Sequence, residues 1–214
     1  MSHSHWTLQP SKLFKSGPVV PVIVISELSQ ALPLAKALLD GGVNVMEVTL
    51  RTEHGLAAIE AIAKAYPQAL IGAGTVVNTQ QLADVEQAGG MFAISPGATP
   101  ALLAAGAKSK MSFIPGVTSP SELMVGLEYG YDHFKFFPAE ASGGIPALKA
   151  LSAPFGGITI CPTGGISLKN AKDYLALDFV HCIGGSWIVP MDLVEAGEWE
   201  KITQLCKEAV SALS

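Results

Sequence analysis

The sequence predicts an α/β fold, and within that class a single (β/α)8 TIM barrel with a short N-terminal helix. The chain has 214 residues, a length that suits one domain and that one such barrel can use completely. Apolar, β-branched segments alternate with segments of helical periodicity from end to end, which predicts parallel strands with right-handed crossovers. Eight strand segments can be counted, and this count favours the closed barrel over its alternative, a doubly wound open sheet.

The strands are predicted where short, nearly continuous apolar runs lie between turn residues. They are Val19–Ile25, Asn44–Leu50, Leu70–Thr75, Met91–Ser95, Ser112–Pro115, His133–Phe137, Ile158–Pro162 and Val180–Gly184. Residues 1–16 are expected to form a short helix that closes one end of the barrel, or a loose extension, and the last helix is expected over Trp199–Leu213. No linker or low-complexity stretch divides the chain, so residues 1–214 are predicted to be one catalytic domain.

Composition and charge exclude several classes of protein. Only 14% of the residues are charged, 49% are hydrophobic and the mean hydropathy is +0.39, which excludes an intrinsically disordered chain. The 13 basic and 18 acidic residues give a net charge of −5, a balance that argues against nucleic-acid binding. The longest early apolar run, Pro18–Ile25, is far shorter than a membrane-spanning helix. Since the first residues also lack a signal-peptide pattern, we expect a cytoplasmic protein with no membrane partner.

Residues that could form disulfides or bind metals show no suitable spacing. Cys161, Cys182 and Cys206 are odd in number and lack a Cys-x-x-Cys pair, so we expect reduced, mostly buried thiols. The five histidines show no ligand spacing with cysteines or carboxylates, and His3 and His5 are expected in a loose terminus. The sequence therefore predicts no metal site.

The second predicted strand carries charged side chains that an apolar interior would normally exclude. Strand alternation places Glu47, Thr49 and Arg51 on the face opposite to Met46 and Val48. A carboxylate and a guanidinium inside a barrel are costly to desolvate unless they are paired or otherwise compensated. The pattern indicates a functional site, which we favour, or a structural ion pair.

The sixth predicted strand places Lys135 between Phe134 and Phe136. Lysine is depleted in strands and rarely buried. Burial favours its neutral amine, and a neutral amine is a nucleophile that forms Schiff bases with carbonyl compounds. Glu47, inside the same barrel, is a candidate partner for proton transfer. The alternative is a lysine that reaches solvent from the end of its strand.

Paired glycines follow the last two predicted strands, in Thr163-Gly164-Gly165 and in Gly184-Gly185-Ser186. Paired glycines let backbone N–H groups approach an anion, and the loops after the seventh and eighth strands are a frequent phosphate site in barrels. Two such turns predict phosphate binding, with plain tight turns as the alternative. Thr75, which ends the third strand, is a candidate hydrogen-bonding group at the same rim.

Six short motifs carry a resemblance to a known family. They are Gly17-Pro18-Val19-Val20-Pro21-Val22-Ile23, Val48-Thr49-Leu50-Arg51-Thr52, Gly72-Ala73-Gly74-Thr75-Val76, Ala93-Ile94-Ser95-Pro96-Gly97, Phe134-Lys135-Phe136-Phe137-Pro138-Ala139-Glu140 and Cys161-Pro162-Thr163-Gly164-Gly165-Ile166. These motifs resemble those of the 2-keto-3-deoxy-6-phosphogluconate (KDPG) aldolases, bacterial enzymes that often also cleave 4-hydroxy-2-oxoglutarate. The resemblance covers the chain from Gly17 to the end.

The resemblance implies a class I aldolase that needs neither a metal nor a cofactor and that assembles as a homotrimer of barrels. It implies that Lys135 forms the Schiff base and that Glu47 is the general acid and base. Residues implied to contact the substrate are Arg51, Thr75, Pro96, Phe137, Thr163, Gly164, Gly165, Gly184, Gly185 and Ser186. Within this set, Arg51 and Thr75 are implied to hold the pyruvyl carboxylate, and the glycine turns the phosphate.

The implied reaction cleaves KDPG to pyruvate and glyceraldehyde 3-phosphate. Two other functions stay open on the sequence. A phosphosugar epimerase or isomerase would share the glycine turns but would not need a lysine between two phenylalanines. A non-catalytic phosphosugar-binding barrel could lose either Lys135 or Glu47, and this sequence keeps both.

Overall fold

Nine short strands, all paired in parallel, form the centre of the structure, which is a computed structural model that describes residues 3–213. The strands are β1 (Val19–Ile23), β2 (Val45–Thr49), β3 (Leu70–Gly74), β4 (Phe92–Ile94), β5 (Ser112–Ile114), β6 (Gly116–Val117), β7 (His133–Phe136), β8 (Thr159–Pro162) and β9 (Ile183–Gly185). Every predicted strand has a counterpart among them. The parallel α/β class is confirmed.

The strands form two sheets, whereas we predicted eight strands in one ring. One sheet has the order β5-β4-β3-β2-β1-β9, and the other has the order β6-β7-β8. The predicted fifth strand, Ser112–Pro115, corresponds to β5, which ends at Ile114 because Pro115 has no N–H group to donate to a ladder, and an additional strand, β6, begins at Gly116. As a result β5 pairs with β4 and β6 pairs with β7, so the chain passes from the first sheet to the second at Pro115. An isolated parallel bridge between Thr163 and Gly184 links the far edge of the second sheet to β9.

Helices connect the successive strands except β5 and β6, which Pro115 alone separates. Their bounds are α1 (Pro10–Phe14), α2 (Ala31–Asp40), α3 (Gly55–Ala65), α4 (Thr79–Gln87), α5 (Pro100–Lys108), α6 (Pro120–Glu128), α7 (Gly144–Ser152), α8 (Ala171–Leu175), α9 (Met191–Glu195) and α10 (Trp199–Leu213). The start of α6 shows how local sequence sets such bounds. Ser119 accepts a hydrogen bond from the backbone of Glu122, the Glu122 carboxylate accepts one from the backbone of Ser119, and a proline occupies the first turn.

Strand β2 is buried along its whole length, and the apolar core surrounds it and its neighbours. Among residues 3–213, Glu47 and Lys135 are the only Asp, Glu, Lys or Arg side chains that are buried. Thr49 and Thr163 are buried polar residues on strand β2 and just after β8. Because buried charges are costly, the position of Glu47 and Lys135 marks the part of the fold where a function is to be sought.

The N-terminal segment is packed rather than loose. The expected helix is α1, and Leu13 and Phe14 on it are fully buried. The Trp6 side chain donates to the carbonyl of Gly106, and the His3 ring lies 4.2 Å from the Trp6 ring, so the expectation of a loose His3 was wrong. Residues 1 and 2 of the predicted segment, and residue 214 of the predicted domain, lie outside the described residues.

Three further expectations concern groups spread through the chain. Cys161, Cys182 and Cys206 are buried free thiols, as predicted. Within residues 3–213, no three His, Cys, Asp or Glu side chains come together as a possible metal site. The helices of this part of the chain are all too short or too polar to cross a membrane.

Candidate active site

Lys135 and Glu47 form a buried ion pair, although one lies on β7 and the other on β2. The Lys135 Nζ and the Glu47 Oε1 are 3.0 Å apart, and the two side chains are only 7% and 2% exposed. Strand alternation turns Lys135 to the face opposite to Phe134 and Phe136, both of which are buried in the core. The centroid of the Phe137 ring lies 5.3 Å from Lys135 Nζ, so a cation–π interaction also stabilises the ammonium group.

Gly74 on β3 makes room for the Glu47 carboxylate. A Cβ atom on Gly74 would lie 2.1 Å from Glu47 Oε1 and 2.8 Å from its Cδ, which is far inside contact distance. The adjacent strands β2 and β3 are in parallel register, so glycine at this position leaves a recess beside the carboxylate. The sequence analysis singled out Thr75 in this segment but not Gly74, because the contact of Gly74 with Glu47 depends on strand register.

Two thiols lie close to the Lys135–Glu47 pair. Cys161 is the parallel-register partner of Lys135 on the neighbouring strand β8. Burial raises the pKa of the Cys182 thiol well above its ordinary value, and the neighbouring Cys161 and Glu47 raise it further. The raised pKa favours the neutral thiol of Cys182, which adds no charge beside Glu47. The sequence predicted mostly buried cysteines but not that they adjoin the Lys135–Glu47 pair.

Arg51 and Thr75 lie side by side at the ends of β2 and β3. The Arg51 Nε donates a hydrogen bond of 3.4 Å to the Thr75 hydroxyl. Arg51 is exposed and has no ion pair with any carboxylate of residues 3–213, so the alternative of a structural Glu47–Arg51 pair is wrong. Its planar guanidinium is free to bind an external carboxylate.

Thr75 has an uncommon backbone. Its φ angle is +60°, and in residues 3–213 it is the sole non-glycine residue with positive φ. The left-handed region is costly for a β-branched side chain, and such strain tends to occur at functional sites. In this conformation the Thr75 hydroxyl lies beside Arg51 and accepts its hydrogen bond. The sequence identified Thr75 by its position after a strand but could not show its backbone conformation.

One cavity joins most of the predicted site residues at the carboxyl ends of the strands. From the predicted set, its lining includes Arg51, Lys135, Phe137, Thr163, Gly164, Gly165, Gly184, Gly185 and Ser186. It also includes Val22, Val24 and Ile166, which we did not predict. The alternation of β1 could have identified Val22 and Val24, since Val22 is in register with Glu47.

Three predicted residues, Glu47, Thr75 and Pro96, lie outside the lining of this cavity. Glu47 is joined to the cavity through Lys135, which lines it. Thr75 is joined to the cavity through its hydrogen bond with Arg51, which lines the cavity. Pro96 lies against Gly116, where a Cβ would be 2.4 Å from the Pro96 carbonyl group. Because Gly116 is in register with Lys135, Pro96 supports the strand that neighbours the lysine.

The turn at Gly164 and Gly165 presents amide groups to the cavity. The Gly164 carbonyl accepts from the Glu140 amide at 3.1 Å, and the Gly165 carbonyl accepts from the Asn170 side chain at 3.3 Å. In a trans peptide the next N–H points away from the carbonyl, so the amides of Gly165 and Ile166 face the other way. Neither amide donates to any group in the described part of the chain. Unpaired amides in a cavity favour an anion.

The φ angles of this turn are +104° at Gly164 and +76° at Gly165, conformations that favour glycine. Ser186, after β9, also lines the cavity, and its exposed hydroxyl adds a further donor. The phosphate site expected from the paired glycines stays a prediction, and the structure places both glycines in the lining of the cavity.

A parallel α/β fold with a buried lysine–carboxylate pair beside an anion-binding turn defines a class of proteins suited to covalent chemistry on a carbonyl compound. Residues 11–205 match the family described as Aldolase: KDPG and KHG aldolase. The chain belongs to this family.

Curated relatives match nearly the whole chain. The 2-dehydro-3-deoxy-phosphogluconate aldolase of Pseudoalteromonas atlantica is 58% identical over 207 residues, which cover 97% of this chain and 96% of that protein. The KHG/KDPG aldolase of Escherichia coli is 56% identical over 206 residues, which cover 96% of this chain and 97% of that protein. The family resemblance stated from the motifs is confirmed.

Solved structures show the same similarity. The KDPG aldolase of Legionella pneumophila, with pyruvate captured at low pH as a covalent carbinolamine intermediate, superposes with a TM-score of 0.94 at 55% identity, over 96% of this chain and all of that chain. The KDPG aldolase of Zymomonas mobilis with 3-phosphoglycerate has a TM-score of 0.88 at 44% identity, over 94% of both chains.

Proposed function

We propose that this protein is a class I aldolase that cleaves KDPG to pyruvate and glyceraldehyde 3-phosphate through a Schiff base on Lys135. The observation that carries the proposal is the buried contact of 3.0 Å between Glu47 Oε1 and Nζ of Lys135, the lysine that lines the cavity. The covalent pyruvate adduct of the Legionella relative supports it.

The first step is attack by the Lys135 amine on the C2 ketone of the substrate. Glu47 Oε1 lies within hydrogen-bond distance of Nζ and takes up a proton, which makes the nitrogen nucleophilic. The protonated Glu47 then gives its proton to the C2 hydroxyl of the carbinolamine, which leaves as water, and the product is a protonated imine beside a Glu47 carboxylate. This iminium is an electron sink next to C3, so no step requires polarisation of the ketone by a metal.

The second step breaks the bond between C3 and C4. Glu47, as a carboxylate, removes the proton of the C4 hydroxyl, and the C3–C4 electron pair moves to the iminium. Glyceraldehyde 3-phosphate leaves, and the enamine of pyruvate remains on Lys135. Glu47 then returns its proton to C3, and water hydrolyses the imine to release pyruvate and restore the amine. One carboxylate serves both directions because it carries the proton between the steps.

Binding groups for both charged ends of the substrate adjoin this pair. Arg51, oriented by Thr75, is proposed to bind the C1 carboxylate through its guanidinium. The amides of Gly165 and Ile166 and the Ser186 hydroxyl are proposed to bind the phosphate. Pro96, Phe137, Thr163, Gly164, Gly184 and Gly185 are proposed to shape the cavity between these two ends.

Several finer features belong to the same proposal. The two sheets together form one (β/α)8 barrel, closed through Pro115 at one seam and through the Thr163–Gly184 bridge at the other, which is supported by the strand order. Residues 1–214 act as one catalytic domain in a cytoplasmic homotrimer. The enzyme also cleaves 4-hydroxy-2-oxoglutarate to pyruvate and glyoxylate, as the name of the Escherichia coli relative suggests.

Reduction of the imine tests the proposal directly. Borohydride with pyruvate should inactivate the enzyme and leave one adduct, which peptide mapping should locate on Lys135. Lys135→Met should abolish both labelling and cleavage, whereas Lys149→Met, which removes an exposed lysine on α7, should retain both. A chelator should leave cleavage unchanged. An adduct on a different lysine, or full activity in Lys135→Met, would overturn the proposal.

A further inference from the structure

A tyrosine–glutamate pair lies behind the Gly164–Gly165 turn, outside the residues that line the cavity. Tyr174 on α8 is fully buried, and its hydroxyl donates a hydrogen bond to Glu140 Oε1. Glu140 belongs to the segment that follows β7, the strand that bears Lys135. The proposed mechanism uses neither residue.

Glu140 makes two contacts with the turn. Its amide donates to the Gly164 carbonyl at 3.1 Å. Its side chain covers Gly165 so closely that a Cβ there would lie 2.7 Å from both Cβ and Cγ of Glu140. Glu140 is absent from the cavity lining and instead borders an adjoining surface hollow with Asn170 and Tyr174. The Glu140 side chain therefore packs against the Gly164–Gly165 turn on the side away from the cavity.

The charge of Glu140 explains why it needs a partner. A free carboxylate beside a turn that binds phosphate would repel the ligand if it moved towards the cavity. The Tyr174 hydroxyl holds Oε1 on the outer side. Burial, and then the hydrogen bond from the hydroxyl to Glu140, raises the pKa of Tyr174 above its ordinary value, so the hydroxyl stays protonated and continues to donate.

We propose that Tyr174 and Glu140 are positioning residues for the phosphate: Tyr174 fixes the Glu140 side chain against Gly165, and the fixed side chain keeps the turn's amides directed into the cavity. This inference rests on the proposed function, since it assigns the turn to the substrate phosphate. Neither side chain contacts the reacting atoms, so the pair should affect binding of the phosphorylated substrate and not imine formation.

The test compares Tyr174→Phe with Tyr131→Phe. Tyr131 is an equally buried tyrosine whose hydroxyl donates to the Leu103 carbonyl at 2.7 Å, away from the cavity. Each variant loses one buried hydroxyl, so both should lose similar stability in a thermal melt. We expect Tyr174→Phe to raise KM for KDPG about threefold to tenfold, the size of one lost hydrogen bond, with little change in kcat. Tyr131→Phe should leave KM unchanged.

Substitutions of Glu140 add a double-mutant cycle. Glu140→Gln retains an oxygen that accepts from Tyr174 and should keep KM near the wild-type value. Glu140→Ala should raise KM as Tyr174→Phe does, and the double variant should be no worse than either single one, because both remove the same contact. Additive effects, or an unchanged KM in Tyr174→Phe, would overturn the inference.

A second readout separates this inference from the proposed function. The pyruvate concentration that gives half-maximal borohydride trapping on Lys135 does not depend on phosphate and should be the same in all of these variants. If trapping fails in the wild-type enzyme, the proposed function is wrong. If wild-type trapping succeeds but Tyr174→Phe weakens trapping as much as it raises KM, the pair supports the fold and not the phosphate turn.

Discussion

Lys135 and Glu47 each depend on the other to remain charged inside the protein. Removing one partner of such a pair leaves an uncompensated buried charge, which typically costs about 3–5 kcal/mol. Informative variants therefore keep a hydrogen-bonding atom in place of the group they remove. This consideration selects glutamine, and not alanine, for a test of Glu47.

We predict that Glu47→Gln still forms the imine but turns over about 10²- to 10⁴-fold more slowly, the range of general acid–base catalysis. Glutamine keeps the shape of the side chain and an oxygen that can accept from Lys135, but it is not a base. Borohydride trapping should therefore succeed while kcat falls. Glu128→Gln, at an exposed position on α6, is the matched control and should keep wild-type kcat. Near wild-type turnover in Glu47→Gln would show that another group moves the proton.

We predict that Gly74→Ala lowers kcat about 10²-fold, since a displacement of about 1 Å in a catalytic group can have this effect. The new methyl group would lie 2.1 Å from Glu47 Oε1 and would push the carboxylate away from Lys135. The matched control is Gly156→Ala, where a Cβ meets nothing within 4 Å. Steady-state kinetics with a thermal melt for each variant separates an effect on catalysis from an effect on stability. A wild-type kcat in Gly74→Ala would show that the Glu47 carboxylate does not need the space that Gly74 leaves.

The residues of the site differ in how far the sequence could predict them. Lys135 and Glu47 are unusual within their own strands, so local pattern is sufficient to identify them. The contact of Gly74 with Glu47 arises from the register of two strands, and the electrostatic effect of Glu47 on Cys182 joins positions far apart in the chain. No local pattern encodes such contacts. The same holds for Tyr174 and Glu140, which meet only after folding.

At the scale of elements, strand positions were predicted well because apolar, β-branched runs bounded by turn residues are a local property. The additional strand β6 after Pro115 was not predicted, although Pro115 is visible in the sequence. A proline at the end of a run is compatible with a continuous strand or with a break, and the outcome depends on whether a neighbouring strand needs a hydrogen-bond donor at that position. Here β4 and β7 pair on either side of it.

The Gly164–Gly165 turn supports a prediction about its binding of phosphate. Gly165 has a φ of +76°, and a Cβ there would strike Glu140, so we predict that Gly165→Ala raises KM for KDPG. Ser186→Ala should lose one hydrogen bond to a charged group, about 1.5–3 kcal/mol, and so raise KM about 10- to 100-fold. Both effects should be much smaller for 4-hydroxy-2-oxoglutarate, which carries no phosphate.

The control for this prediction is Gly157→Ala. Gly157 also has a positive φ, +77°, but a Cβ there meets nothing within 4 Å, so the variant shows the cost of backbone strain alone. The measurement is the ratio of kcat/KM for the two substrates in each variant. An equal loss for both substrates would mean that the turn supports the fold or the imine step and that phosphate binds elsewhere.

At the scale of the whole molecule, we predict a homotrimer in solution. Large apolar side chains remain exposed on the single chain, among them Val77 at 52%, Met124 at 56% and Leu127 at 37%. Exposed apolar residues of this kind favour association, because burial removes them from water. Light scattering at micromolar concentration should give three times the chain mass of 22.2 kDa. A monomer mass under these conditions would contradict the prediction.

The contact between Lys135 and Glu47 has a consequence for how the buried amine becomes reactive. The pair shares one proton, which can reside on nitrogen as ammonium and carboxylate, or on oxygen as amine and carboxylic acid. Both tautomers are electrically neutral overall, so the change from one to the other moves a proton across a gap of 3.0 Å without creating net charge in the interior. Burial opposes the formation of isolated charge but opposes this exchange much less. The nucleophile can thus be generated without exchanging a proton with bulk water.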